Sequence, residues 1–114
     1  MPLLRITTNH SIEDEKLPEL LKHASTTVAE MLGKPENYVM VDFVFNPNMM
    51  FGGSTDTLAY LELKSIGLPS DLTADFSNIL CKLMQEQLDI PIERTYIEFS
   101  AAERHLWGWN SSTF

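Results

Sequence analysis

The sequence comes close to repeating itself, and that limits its fold more than any other feature. A shift of 56 positions lays Leu20, Ala24, Val28 and Leu32 on Phe76, Leu80, Met84 and Leu88, Pro35 on Pro91, and Val41-Asp42-Phe43 on Ile97-Glu98-Phe99. Helical spacing alone makes apolar positions coincide, but it does not carry a proline and a strand triplet along with them. The match points to duplication, with halves of about 1–57 and 58–114 inside a single domain of 114 residues. Each half must then fold as the same unit, so elements come in pairs.

Leu17, Leu20, Leu21, Ala24, Val28, Met31 and Leu32 recur at helical spacing and stop at Gly33, with Ser11 and Asp14 as the N-cap signal. Leu72, Phe76, Ile79, Leu80, Leu83, Met84 and Leu88 predict a second helix from Ser70 or Asp71 that ends before Pro91. Leu3 to Thr8, Val39 to Phe45, Leu58 to Ser65 and Thr95 to Ser100 are alternating, β-branched or aromatic and predict strands. The order is β-α-β-β-α-β, two βαβ units with right-handed crossovers. Two such units predict an α/β (α+β) fold, a four-stranded mixed sheet with both helices on one face. The other face and the sheet edges stay uncovered, which predicts a cyclic homo-oligomer.

Composition narrows the function. Hydrophobic residues make up 44% of the chain, so it is globular. No apolar run approaches the ~20 residues that span a bilayer, and no signal peptide is visible, so the expected compartment is the cytoplasm. Sixteen acidic side chains against eight basic ones give a formal charge of −8, which argues against nucleic acid and anionic membrane as partners. Cys81 is the single cysteine, read as a small buried hydrophobe, and it excludes an intrachain disulfide or a cysteine-rich zinc site. His10, His23 and His105 show no joint ligand spacing, so neither metal nor cofactor is expected. Asp42 and Glu98 are related by the repeat, which does not by itself bring two carboxylates together.

The remaining motifs sit at the ends and in the loops. Pro2 follows Met1; removal of Met1 would leave a secondary amine, and burial beside a cation would hold that amine neutral near pH 7. The ordinary alternative is that Pro2 simply begins a strand. Lys34, just past a helix C-terminus, has a matching alternative as a solvated side chain favoured by the helix dipole. Phe51-Gly52-Gly53-Ser54 and Ser65-Ile66-Gly67 are glycine turns, and no lysine-serine or helix follows the double glycine as a phosphate cradle requires. The tail, Leu106-Trp107-Gly108-Trp109-Asn110 and Ser111-Ser112-Thr113-Phe114, is too aromatic for a disordered end. It is expected to pack as a short strand on a neighbouring subunit or as the wall of an aromatic pocket.

Pro2, Gly33-Lys34-Pro35, Phe51-Gly52-Gly53-Ser54, Ser65-Ile66-Gly67 and Gly108-Trp109-Asn110-Ser111-Ser112-Thr113-Phe114 together resemble the macrophage migration inhibitory factor family of the tautomerase superfamily, over the whole chain. The resemblance implies a homotrimer with active sites between subunits, and cofactor-free keto–enol tautomerisation of arylpyruvates such as phenylpyruvate, with dopachrome as a further substrate class. Pro2 would be the general base. Lys34, helped by the backbone N–H of Ile66, would bind the substrate carboxylate and depress the Pro2 amine. Tyr96 of a neighbouring subunit would flank the pocket, with Tyr38, Trp109 and Phe114 as aromatic wall.

Three departures qualify that carry-over. Glu98 replaces an asparagine that meets the substrate's ring hydroxyl, exchanging a donor and acceptor for an acceptor-only anion. Trp107 replaces a smaller pocket residue and should narrow the site. Leu58 and Leu61 replace a Cys-X-X-Cys pair, so thiol oxidoreductase chemistry is not inherited. The alternative function is a signalling protein that binds a receptor through its surface and is released without a signal peptide. Hydration, dehalogenation or decarboxylation by the same proline would require arginines and acidic groups that the sequence does not place.

Overall fold

The computed structural model describes residues 1–114. Its elements are β1 (Leu3–Thr8), α1 (Leu17–Leu32), β2 (Met40–Phe45), β3 (Ala59–Ile66), α2 (Thr73–Leu88), β4 (Thr95–Ala102) and a terminal pair, β5 (Gly108–Trp109) and β6 (Ser112–Thr113). Both helices have 16 residues, and Leu17 to Thr73, like Leu32 to Leu88, is a step of 56. The short 3₁₀ turns Glu36–Tyr38 and Ile92–Arg94 keep the same offset. So do the two helix ends: Gly33 (φ 63°) and Asp89 (φ 55°) both adopt the left-handed conformation that closes a helix.

The main sheet runs β2-β1-β3-β4. The pairs β1/β2 and β3/β4 are parallel, one within each half, and β1/β3 is antiparallel across the junction. Alternation along β1 and β3 sends Leu4, Ile6 and Thr8, and Ala59, Leu61, Leu63 and Ser65, to the covered face, where all are buried. Against them pack Leu20, Ala24 and Val28 of α1 and Phe76, Leu80, Leu83, Met84 and Leu88 of α2. The opposite face is charged. Arg5 lies between Asp42 (2.9 Å) and Glu62 (3.7 Å), and Lys64 stands 3.8 Å from Glu62. The edges are apolar and open, with Met40, Val44, Phe45 and Tyr96 exposed.

Several local expectations need correction. The first helix starts without a side-chain cap: Ser11 and Asp14 play no part, and Lys16 is the N-cap residue. Pro18 explains this, since it has no N–H to be capped and its fixed φ suits the first helical turn. Ser70–Leu72 is a 3₁₀ turn, so the second helix begins at Thr73. Cys81 is half-buried rather than a core residue. No helix is long and apolar enough to cross a membrane.

Candidate active site

Pro2 stands at the head of β1, the strand between β2 and β3, and its ring is fully buried. A proline is tolerated in a central strand only at such an end, where its missing N–H breaks no ladder. Its carbonyl accepts from the Met40 N–H at 2.9 Å and so begins the pairing with β2. Leu3 faces Lys64 across the antiparallel pair, which aims the chain before Leu3 at Ser65 and Ile66, the end of β3.

Lys34 comes to the same place from α1. Gly33 turns left-handed, its N–H and that of Lys34 close the helix on Glu30 and Ala29, and the lysine is carried past the helix end. Its Nζ donates to the Ile66 carbonyl at 2.9 Å, which brings the lysine to the residue whose N–H is expected to share a substrate carboxylate with it. Neither electrostatics nor burial is neutral here. The α-amine of Met1, bonded to the Tyr38 carbonyl at 2.8 Å, is held below the ordinary amine value of 8.0, first by burial and then by the positive charge of Lys34.

A cavity of about 350 Å³ opens over Pro2, lined by Met1, Leu3, Asn37, Tyr38, Val39, Met40, Trp107, Gly108, Trp109 and Phe114. The tail makes its wall by folding back on its own chain. Gly108–Trp109 and Ser112–Thr113 form a hairpin whose turn residues, Asn110 and Ser111, both have positive φ (52° and 63°). That turn stacks Trp109 on Phe114 (5.3 Å), and Tyr38 meets both edge-on at 5.3 Å and 5.6 Å. Trp107 and Phe114 are tied by a backbone bond of 3.1 Å.

Pro2, Tyr38, Trp107, Trp109 and Phe114 are thus gathered around one cavity, with Lys34 and Ile66 joined to each other at the end of β3. Tyr96 and Glu98 lie elsewhere in the chain. Tyr96 is exposed and stacks against Phe51 at 4.5 Å; Glu98 accepts from the Tyr60 hydroxyl at 3.2 Å. Burial, then the Glu98 hydrogen bond and the charges of Glu98 and Glu62, raise the Tyr60 phenol above its ordinary value of 10.0. Asn37, Val39 and Met40 join the cavity beyond the residues expected from sequence; for Val39 and Met40 the signal is the parallel strand that pairs with the one beginning at Pro2. No group of three His, Cys, Asp or Glu side chains is arranged to hold a metal.

Two βαβ units in one mixed sheet, with a buried proline heading a central strand beside a lysine, define a protein of the tautomerase superfamily. The family model for macrophage migration inhibitory factor (MIF) matches residues 1–114, and the chain belongs to that family. It is 40% identical over 115 residues to the macrophage migration inhibitory factor homolog of Brugia malayi, covering 100% of this chain and 99% of the relative. Against the macrophage migration inhibitory factor of Xenopus laevis it is 36% identical over 118 residues, covering 100% and 99%. The crystal structure of the homologue from Prochlorococcus marinus superimposes with a TM-score of 0.91 at 39% identity over 98% of each chain. The protein from Toxoplasma gondii gives 0.91 at 31% identity over 98% of this chain and 99% of its own.

Proposed function

We propose that the protein is a keto–enol tautomerase of arylpyruvates whose general base is the Pro2 amine, freed by removal of Met1. The observation that carries this is the condition of the amine at the chain start: it lies beside an apolar, aromatic cavity and is depressed by burial and by Lys34. Pro2 lies one residue further in, beneath Met1, and its amine takes the place at the cavity and beside the Lys34 charge when Met1 is gone. The neutral amine takes a proton from the carbon next to the ketone, the electron pair moves onto the carbonyl oxygen, and the protonated Pro2 amine gives its proton to that oxygen, which forms the enol and restores the neutral base; the reverse path runs through the same transfers. Lys34 exchanges its Ile66 carbonyl for the substrate carboxylate, with the Ile66 N–H as a second donor. Tyr38, Trp107, Trp109 and Phe114 hold the aryl group. In a homotrimer, Tyr96 and Glu98 of the neighbouring subunit complete the site. There Glu98 favours substrates with a ring hydroxyl to donate and disfavours a second negative group.

The test is intact mass and phenylpyruvate tautomerase rate on one preparation, before and after methionine aminopeptidase. Activity that rises with the fraction lacking Met1 and disappears in Pro2→Gly is the expected result. Fully processed protein with no activity overturns the assignment. The names of the relatives favour a second reading, a signalling protein that binds a receptor through its outer surface. A Pro2→Gly variant that keeps saturable receptor binding would separate that role from catalysis, and absence of binding by the wild type would remove it.

A further inference from the structure

Arg94, at the end of the 3₁₀ turn leading into β4, enters no ion pair; its guanidinium is occupied by backbone carbonyls. Nε donates to Thr57 at 3.0 Å, Nη1 to Phe51 at 3.1 Å, and Nη2 to Ser54 and to Asp56 at 3.1 Å each. Four carbonyls of the β2–β3 connection thus converge on one side chain. Asn9 holds the far end of this connection, its Nδ2 donating to the Thr55 carbonyl at 2.9 Å and its Oδ1 accepting from the Leu58 N–H at 2.9 Å, so Arg94 is the side chain that reaches the Phe51 carbonyl. Phe51 and Ser54 exchange two backbone bonds around Gly52 and Gly53, both at positive φ (61° and 78°). An arginine so engaged is not available to an anion; its planar fork is used as a template for loop backbone.

The ring of Phe51 transmits that template outward. One neighbour is the Arg94 guanidinium, 5.2 Å from its centroid, and another is the Tyr96 ring at 4.5 Å, tilted by 38°. Arg94 and Tyr96 are two residues apart, so one short segment both anchors the turn and stacks upon it. Tyr96 is 64% exposed and lines, with Phe51, Met49 and Met50, an open apolar cavity of about 470 Å³. A ring that exposed has no core packing to set its orientation.

We propose that Arg94 is a positioning residue for the arylpyruvate reaction: by clamping the Phe51–Ser54 turn it fixes Phe51, and through Phe51 the Tyr96 ring, as one rigid aromatic surface offered to substrate in a neighbouring subunit's Pro2 site. This rests on the function proposed above. Arg94 touches no reacting atom, so its loss acts on binding and leaves the base alone. Arg94→Ala should raise KM for phenylpyruvate about tenfold while kcat stays within about twofold and the acid limb of the pH profile does not move. Methylguanidinium should restore KM. Arg94→Lys should recover only part, because one ammonium cannot span four carbonyls. Phe51→Leu keeps the clamp and removes the relay, and should raise KM similarly.

The variants are read alongside ¹³C-methyl spectra of Met49 and Met50, which line the cavity with Phe51 and Tyr96. Expected are shifted methyl resonances in Arg94→Ala that return with methylguanidinium. Unchanged KM in Arg94→Ala or in Phe51→Leu, a fall in kcat equal to the rise in KM, or unmoved methyls each overturn the proposal. If the processed wild type has no arylpyruvate activity, it is the function proposed above that fails. The methyl spectra then decide by themselves whether Arg94 fixes this surface.

Discussion

Lys34 is where a single side chain has two separable effects on the proposed chemistry. Its ammonium meets the Ile66 carbonyl, and its charge reaches the amine at the start of the chain. Lys34→Ala removes a charge-assisted contact worth about 1.5–3 kcal/mol, so kcat/KM for phenylpyruvate should fall roughly ten- to hundredfold. It also removes a positive neighbour, which lets the Pro2 amine bind its proton more tightly. Because only the neutral amine is a base, the acid limb of kcat/KM should move to higher pH, and the loss should be greater at pH 6 than at pH 9. Lys34→Arg keeps the charge and should keep the acid limb. A pH profile of both processed variants checks this; an unmoved limb in Lys34→Ala means that burial alone tunes the amine. At this scale the sequence was informative for a particular reason: Pro2 and Lys34 are chemically unusual at their positions. Tyr96 and Glu98 read less directly, because a strand residue's partner depends on which face and which edge it occupies, and within this chain they meet Phe51 and Tyr60 instead of Pro2.

Elements were legible wherever periodicity and a breaker coincided. The first helix closes at Gly33 as expected and the second stops short of Pro91 as expected, at Leu88, where Asp89 takes the left-handed conformation. The start of α1 departs from the sequence pattern because Ser11 and Asp14 satisfy a capping signal in a segment that a proline-led first turn does not use. The tail forms the short strand expected of it, but its pairing back on itself was not legible, because the turn Asn110-Ser111 takes a double positive-φ conformation without the glycine that usually announces it. The two helix ends also differ in a testable way. Nothing lies within 4 Å of where a Cβ on Gly33 would stand, so Gly33→Ala introduces backbone strain without a clash. A left-handed non-glycine residue costs about 1–2 kcal/mol, and urea unfolding should show a loss of that order. Strain at Gly33 also loosens the delivery of Lys34, so KM should rise along with it. A stability loss with KM unchanged would mean that the Lys34–Ile66 bond forms regardless of how the helix ends.

The whole molecule leaves one side of its sheet and both of its edges without cover. Packing two helices on one face of a four-stranded sheet follows from the duplicated βαβ order, and so does the bare face opposite. The identity of the cover is not encoded in periodicity, which reports one chain at a time. The character of the surface supplies the argument. Its centre is a charge network, Asp42–Arg5–Glu62–Lys64, while its margin is apolar, with Met40, Val44 and Tyr96 exposed. Apolar margins around sheet edges that still have unpaired backbone groups suit a second and third copy better than water. In the proposed homotrimer, the subunit that covers the margin also brings Tyr96 and Glu98 to its neighbour's Pro2. Assembly and activity are therefore coupled. Val44 faces Thr7 across the β1/β2 pair, far along the strand from Pro2, so Val44→Lys charges the margin and leaves the cavity intact. Sedimentation at micromolar concentration should show trimers in the wild type and smaller species in Val44→Lys. Phenylpyruvate tautomerase activity should fall in proportion to the trimer lost. Full activity in a dissociated variant would place the whole site within one chain and would remove Tyr96 and Glu98 from it.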